Sequence, residues 1–172
     1  MPAEPTRPRL AVAVAGTLAV TAVAAFLGWL ILVVTPLASA PGLTLAEVHA
    51  AMAAANESID PPLVLALLAV GPLLALALLV ATVRSSWPPE AVAAAYLGPL
   101  AFSAPASAVL GFGPGMALGD TFGSAAFTWW EIVPALVSAL ALAGVVKVGF
   151  RTGRGRPGRG ARRTGRPAPS TP

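Results

Sequence analysis

PLVLALLAVGPLLALALLVATV, residues 62–83, runs for twenty-two positions without a charged side chain. At ~1.5 Å of helical rise per residue it is ~33 Å long, enough to cross the ~30 Å hydrocarbon core of a bilayer. Asp60 stands before it as a cap, and Pro61 suits a first helical turn, where a missing N–H costs nothing. Three more apolar runs of similar length flank it. One extends from Leu10 to Val34 and meets Pro36. Another extends from Pro89 to Phe112 and meets Gly113-Pro114-Gly115. The last extends from Trp129 to Phe150, with Thr128 and Glu131 at the spacing of a capping box. The expected fold is an all-α membrane protein: a four-transmembrane-helix bundle with spans 10–34, 62–83, 89–112 and 129–150, after a segment 1–9 and before a tail 151–172.

Composition agrees. Apolar residues make up 56% of the chain and charged residues 10%, whereas a soluble domain carries about 25% charged residues to build its surface. Arg7 and Arg9 precede the first span, Arg84 separates the second from the third, and Lys147 and the arginine tail close the fourth. Glu47, Glu57, Asp60, Asp120 and Glu131 fall in the loops at the other side. Basic loops stay in the cytoplasm, so both termini are expected there. Ala38-Ser39-Ala40 has the look of a signal-peptidase site. The apolar stretch before it is too long for a signal peptide, and Pro41 follows the cleavage point, so span one is expected to remain. Abundant Ala, Gly and Arg, with one Lys, suit a GC-rich bacterial genome, and the cytoplasmic membrane is the expected location.

The loop after span one has a pattern of its own. Thr44 and Glu47 form a second capping box that opens a short amphipathic helix to about Asn56, with Leu45, Val48, Met52 and Ala55 on one face. His49 is two residues from Glu47 and off its helical face, so it reads as an exposed polar residue and not a metal ligand. Residues 113–128, rich in Gly and carrying Met116, Leu118, Phe122 and Phe127, are expected to form a half-buried loop over the bundle; a re-entrant segment is the alternative. Trp129 and Trp130 suit one membrane interface and Trp87 the other, and Trp29 reads as a lipid anchor.

The tail holds seven arginines (Arg151, Arg154, Arg156, Arg159, Arg162, Arg163, Arg166) and no acid; the remainder has four basic residues against seven acidic ones. Without apolar periodicity the tail cannot pack a core and is expected to be disordered. Anionic inner-leaflet headgroups are its expected partner, each basic residue contributing about 1 kcal/mol near the surface. No aromatic residue is interleaved to stack bases, so nucleic acid is not expected.

Inside the bundle the prolines carry most information. Pro72, Pro99, Pro105 and Pro134 each lack an N–H and release the carbonyl four residues earlier: Leu68, Ala95, Ala101 and Trp130. In lipid those oxygens need partners. Gly71-Pro72 and Gly98-Pro99 sit in consecutive spans, so a kinked pair enclosing a cavity is the candidate site, together with Ser103, Pro105 and Ser107. Small-residue faces at four-residue spacing (Ala13, Thr17, Thr21 and Ala25; Ala135, Ala139 and Ala143) offer close helix contact. No Asp, Glu, His, Lys or Arg lies mid-span, which argues against proton-coupled carriers and pumps. The serines have no base within reach, and no cofactor is expected. The expected function is a non-catalytic accessory or assembly subunit, associating with other membrane proteins or with itself. The alternative is a small channel or carrier for an uncharged or hydrophobic solute.

Overall fold

In a computed structural model of the chain, residues 6–123, 126 and 128–154 are described. They form helices and no strands, and four of the helical stretches are long and apolar enough to cross a membrane. The first comprises α1 (Thr6–Trp29), a π-helical turn (Leu30–Val34) and α2 (Thr35–Ser39). A short α3 (Leu45–Ala54) follows, then α4 (Pro61–Arg84). The third stretch is α5 (Pro89–Ala101) and α6 (Ser103–Phe122), broken only at Phe102. The fourth starts as a 3-10 turn (Trp129–Glu131) and continues as α7 (Ile132–Arg154). Large apolar side chains such as Leu140, Val109 and Leu18 are exposed all around the outside, as lipid requires.

Two expected helix ends move outward, each for its own reason. Pro36 does not stop the first helix. The preceding turn widens to π geometry, with Thr35 N–H reaching the Leu30 carbonyl, so the chain passes Pro36 at the start of a fresh segment where its missing N–H is tolerated. Nor do Gly113-Pro114-Gly115 end the third. The helix continues to Phe122 and stops at Gly123, whose φ of 81° is the left-handed conformation glycine adopts without penalty. Packing overrides the poor propensity: Ala117 and Leu118 are buried against Ala40, Val48 and Met52. Residues 113–122 are therefore helix and not loop.

These extensions have a consequence for shape. Arg7–Ser39 and Pro89–Phe122 hold 33 and 34 residues, ~50 Å of helix against ~30 Å of hydrocarbon. They outrun the 24-residue α4 at the end opposite Arg7, Arg9, Arg84 and Lys147. There α3 lies across α2 and the end of α6, giving a small apolar platform with Ile59 and Phe122 packed at its edge. α3 is well delimited. The Thr44 N–H donates to the Glu47 carboxylate at 2.7 Å and the Glu47 N–H to the Thr44 hydroxyl at 3.3 Å. At its end Asn56 is left-handed, and the N–H groups of Asn56 and Glu57 return to the Ala53 and Met52 carbonyls. Val48 and Met52 are buried and His49 is exposed.

Hydrogen bonds from the Thr44 backbone and hydroxyl hold the Glu47 carboxyl below the ordinary glutamate range. A depressed folded pKa means the cap is at full strength above the ordinary value and weakens as pH falls through the lower folded one. The carboxyl-carbon NMR titration of Glu47 is expected to have its midpoint below that of an unstructured glutamate. Glu47→Gln should remove any acid-dependent fraying of α3, seen as amide exchange at Val48. A midpoint at the ordinary value would show that the cap is not formed.

The order of packing is α4, α1, α5–α6, α7, with α1 and the third stretch in the middle. On α1 the buried positions are Ala13, Val20 and Leu27, with Gly16 against a neighbour; Thr21 and Ala25, on the expected four-residue stripe, face outward. On the last helix Pro134, Ser138 and Ala141 are buried, while Ala135, Ala139 and Ala143 are exposed. A strict four-residue repeat drifts around a helix of 3.6 residues per turn, so alternation of three and four is what stays in contact. Backbone helix also persists to Arg154, past the expected start of the tail; Arg156, Arg159, Arg162, Arg163 and Arg166 lie outside the described residues.

Candidate functional site

Two polar junctions fix the four stretches relative to one another. In the first, Tyr96 of α5 points its hydroxyl between α1 and α4. It donates to the Ala75 carbonyl at 3.0 Å and meets the Thr17 hydroxyl at 3.1 Å, while Thr17 itself bonds the Ala13 carbonyl at 2.9 Å. The root of the side chain packs on Gly16, where a Cβ would fall against Cγ, 2.6 Å from Cδ1 and 2.9 Å from the Tyr96 Cβ. Ala13, Val20, Ala75 and Val92 close around it.

The second junction is the break at Phe102. Because Pro105 has no N–H, the Ala101 carbonyl is released, as the sequence requires. Its partner is Ser138 of α7, whose hydroxyl donates to it at 2.8 Å. The same oxygen accepts the Ala104 N–H at 2.9 Å, and the neighbouring Ser103 hydroxyl reaches the Pro134 carbonyl at 3.0 Å and Ser138 Oγ at 3.1 Å. A single serine thus satisfies both backbone groups stranded by the break. Ser103 is in this clasp; Ser107 is not. It lines a separate groove of about 450 Å³ beside the π turn and Pro134, with Gly111 and Glu131.

Between α4 and the third stretch, backed by α1, opens a cleft of about 560 Å³. Of the residues singled out in the sequence, Gly71, Gly98, Pro99 and Ser103 line it; Pro72 and Pro105 are not among its lining residues. Its origin is the absence of side chains: a Cβ on Gly98 would meet nothing within 4 Å, and one on Gly71 only Val20 Cγ1 at 3.6 Å. The walls are aliphatic, and the one hydroxyl among them, that of Ser103, is already spent on Pro134. Toward the basic end the cleft's lining stops at Val20, Leu74 and Gly98, next to Ala75 and the Tyr96 junction. Toward the platform it stops at Leu27, Leu67 and Leu110, beside the packed cluster that includes Ile31 and Val64. It opens sideways, where Val70, Leu74 and Phe102 are exposed.

Aromatic residues gather at the platform end. Trp29 makes an edge contact with Trp130 at 5.8 Å and Phe26 lies 6.4 Å from the same ring, while Trp129 stacks on Trp130 at 3.6 Å. Trp29 is therefore a helix-to-helix contact as well as an exposed ring. At the start of the fourth stretch Thr128 N–H donates to Glu131 at 3.2 Å, at the capping-box position that the sequence marks.

Sequence reasoning did not single out Ser138, Tyr96 or Gly16. A signal existed for two of them. Ser138 is the only hydroxyl residue between Trp129 and Phe150, and Tyr96 is the only tyrosine in the chain; a lone polar group deep in a span must find a partner. Comparison of the chain with protein-family models, with curated proteins and with solved structures finds no match.

Proposed function

We propose that the chain is a non-catalytic accessory or assembly subunit of a bacterial cytoplasmic membrane, with both termini in the cytoplasm. The observation that carries this reading is the platform. An ordered apolar module caps the end of the bundle opposite the basic residues, and the polar groups of the two junctions are spent on holding helices together. The orientation rests on the gathering of Arg7, Arg9, Arg84 and Lys147 at the opposite end. The arginines from Arg151 onward would then lie against anionic headgroups and hold that end at the inner leaflet.

Affinity purification from native membranes in mild detergent tests the reading. A stoichiometric membrane partner is expected, and a lone monomer without partners after in-membrane cross-linking would sink it. An alkaline phosphatase fused after Pro172 is expected to be inactive; activity would reverse the orientation.

The cleft favours a second reading, a small carrier or channel for a hydrophobic solute. Against it stands the short reach of the cleft, whose lining covers only Val20–Leu27 on α1 and Leu67–Leu74 on α4. Flux of such a solute into liposomes, lost in Pro72→Ala and Pro99→Ala, would establish transport; flux equal to empty vesicles removes it.

A further inference from the structure

We propose that the cleft between α4 and the third stretch is a binding site for a single hydrocarbon chain, entered sideways from the bilayer. This goes beyond the accessory reading and does not depend on it.

Four observations select that occupant. The first is size. A helix of ~10 Å diameter occupies ~1,400 Å³ over the ~18 Å from Gly98 to Leu110, more than the about 1160 Å³ of free space in the cleft with its open mouth counted, so a partner helix can cover the mouth but cannot enter. The second is chemistry. Val20, Leu27, Leu67 and Leu110 present aliphatic walls, and Ser103 has its hydroxyl engaged; a polar solute would exchange water for nothing. The third is shape. The lining spans only Val20–Leu27 on α1 and Leu67–Leu74 on α4, short of both helix ends, while Val70, Leu74 and Phe102 are exposed at its side. The fourth is depth. Gly71 lies near the middle of the 24-residue α4, at the level of acyl tails and away from headgroups. A flexible alkyl chain from a lipid or fatty acid meets all four conditions. Its headgroup stays in the bilayer, unrecognised by the site.

The mouth also has a stated boundary. Phe102, two-thirds exposed, projects at the break in the third stretch and lines the cleft opposite Val70. Phe102 and Val70 are accordingly the residues that a reactive group on an inserted chain would meet first.

The test uses the full chain in nanodiscs of phosphatidylcholine doped with a phosphatidylcholine whose acyl chain carries a diazirine. After photolysis, the labelled residues are mapped by mass spectrometry. Label is expected to concentrate on Val70, Gly71, Gly98 and Phe102 above the lipid-facing reference Leu140. Excess palmitate should displace it from the cleft and not from Leu140. Gly98→Phe and, separately, Gly71→Leu fill the cleft and are expected to lower its label about tenfold, the effect of a lost ~1.4 kcal/mol of binding. Gly111→Phe, in the other groove, should leave it unchanged. Thermal unfolding of each variant shows that the bundle persists. Label spread evenly over Leu140 and the cleft, or cleft label indifferent to palmitate and to both filling variants, overturns the proposal. Cross-linking of Phe102 to a second copy in place of lipid overturns it as well.

Discussion

Gly16→Leu is expected to prevent the bundle from assembling, and Gly16→Ala to lower its stability by ~1–3 kcal/mol, the usual cost of forcing a methyl group into filled space. The reason is where the contact falls. A Cβ at position 16 would meet the root of the Tyr96 ring, at Cδ1 and Cβ, and not the tip of a flexible side chain. The ring cannot swing aside without cost, because its hydroxyl is tied to the Ala75 carbonyl and the Thr17 hydroxyl. Relief would require α1 and α5 to separate, and α1 is the element on which α4 also packs. Reversible unfolding in mixed micelles, titrated with a denaturing detergent, measures the change. Gly111→Ala and Gly113→Ala serve as controls, since a Cβ at either meets nothing within 4 Å, and both should be tolerated. A Gly16→Ala protein as stable as its parent would show that α1 and α5 do not approach this closely.

The position of Gly16 also marks the limit of what the chain reveals as a string. Span number and approximate placement follow from hydropathy, because no other structure can bury so many backbone groups in lipid. Both ends of α3 carry local signals, Thr44 with Glu47 at the start and Asn56 at the end, and the helix forms between them. Where a boundary depends on tertiary contact, local signals mislead. Gly113-Pro114-Gly115 has every property of a terminator, yet Ala117 and Leu118 continue the helix because α3 is there to cover them. Pro36 fails to stop α1 because a π turn absorbs the lost bond. The sequence pointed to kinks at Pro72 and Pro99 as the source of a cavity, whereas the space in the cleft lies where Gly71 and Gly98 carry no side chain. Which hydroxyl would answer a released carbonyl was not readable, because it came from another helix.

That hydroxyl is Ser138, and Ser138→Ala is expected to lower stability by ~2 kcal/mol. The substitution leaves two main-chain groups without partners, the Ala101 carbonyl released by Pro105 and the Ala104 N–H beyond the Phe102 break. A buried polar group deprived of its partner costs ~1–3 kcal/mol. Single hydrogen bonds in membrane proteins are worth less, averaging ~0.6 kcal/mol, because the unfolded chain in the bilayer also finds partners. Two stranded groups held by one atom place Ser138 above that average. Ser103→Ala removes a bond to the Pro134 carbonyl, inside α7, and strands no group at the break, so it should cost less, ~0.6 kcal/mol. The double variant is expected to fall short of the sum, because Ser103 and Ser138 touch at 3.1 Å and share one network. Ser107→Ala, outside the clasp, should be neutral. The same detergent titration measures all four. Amide exchange at Ala104 gives the local readout, rising in Ser138→Ala and little changed in Ser103→Ala. If Ser107→Ala were as damaging as Ser138→Ala, stability would track hydroxyl content in the span and not the clasp. If Ala104 exchange were unaffected by Ser138→Ala, the break would be satisfied by something other than α7, and the tie between the third and fourth stretches would have to lie elsewhere.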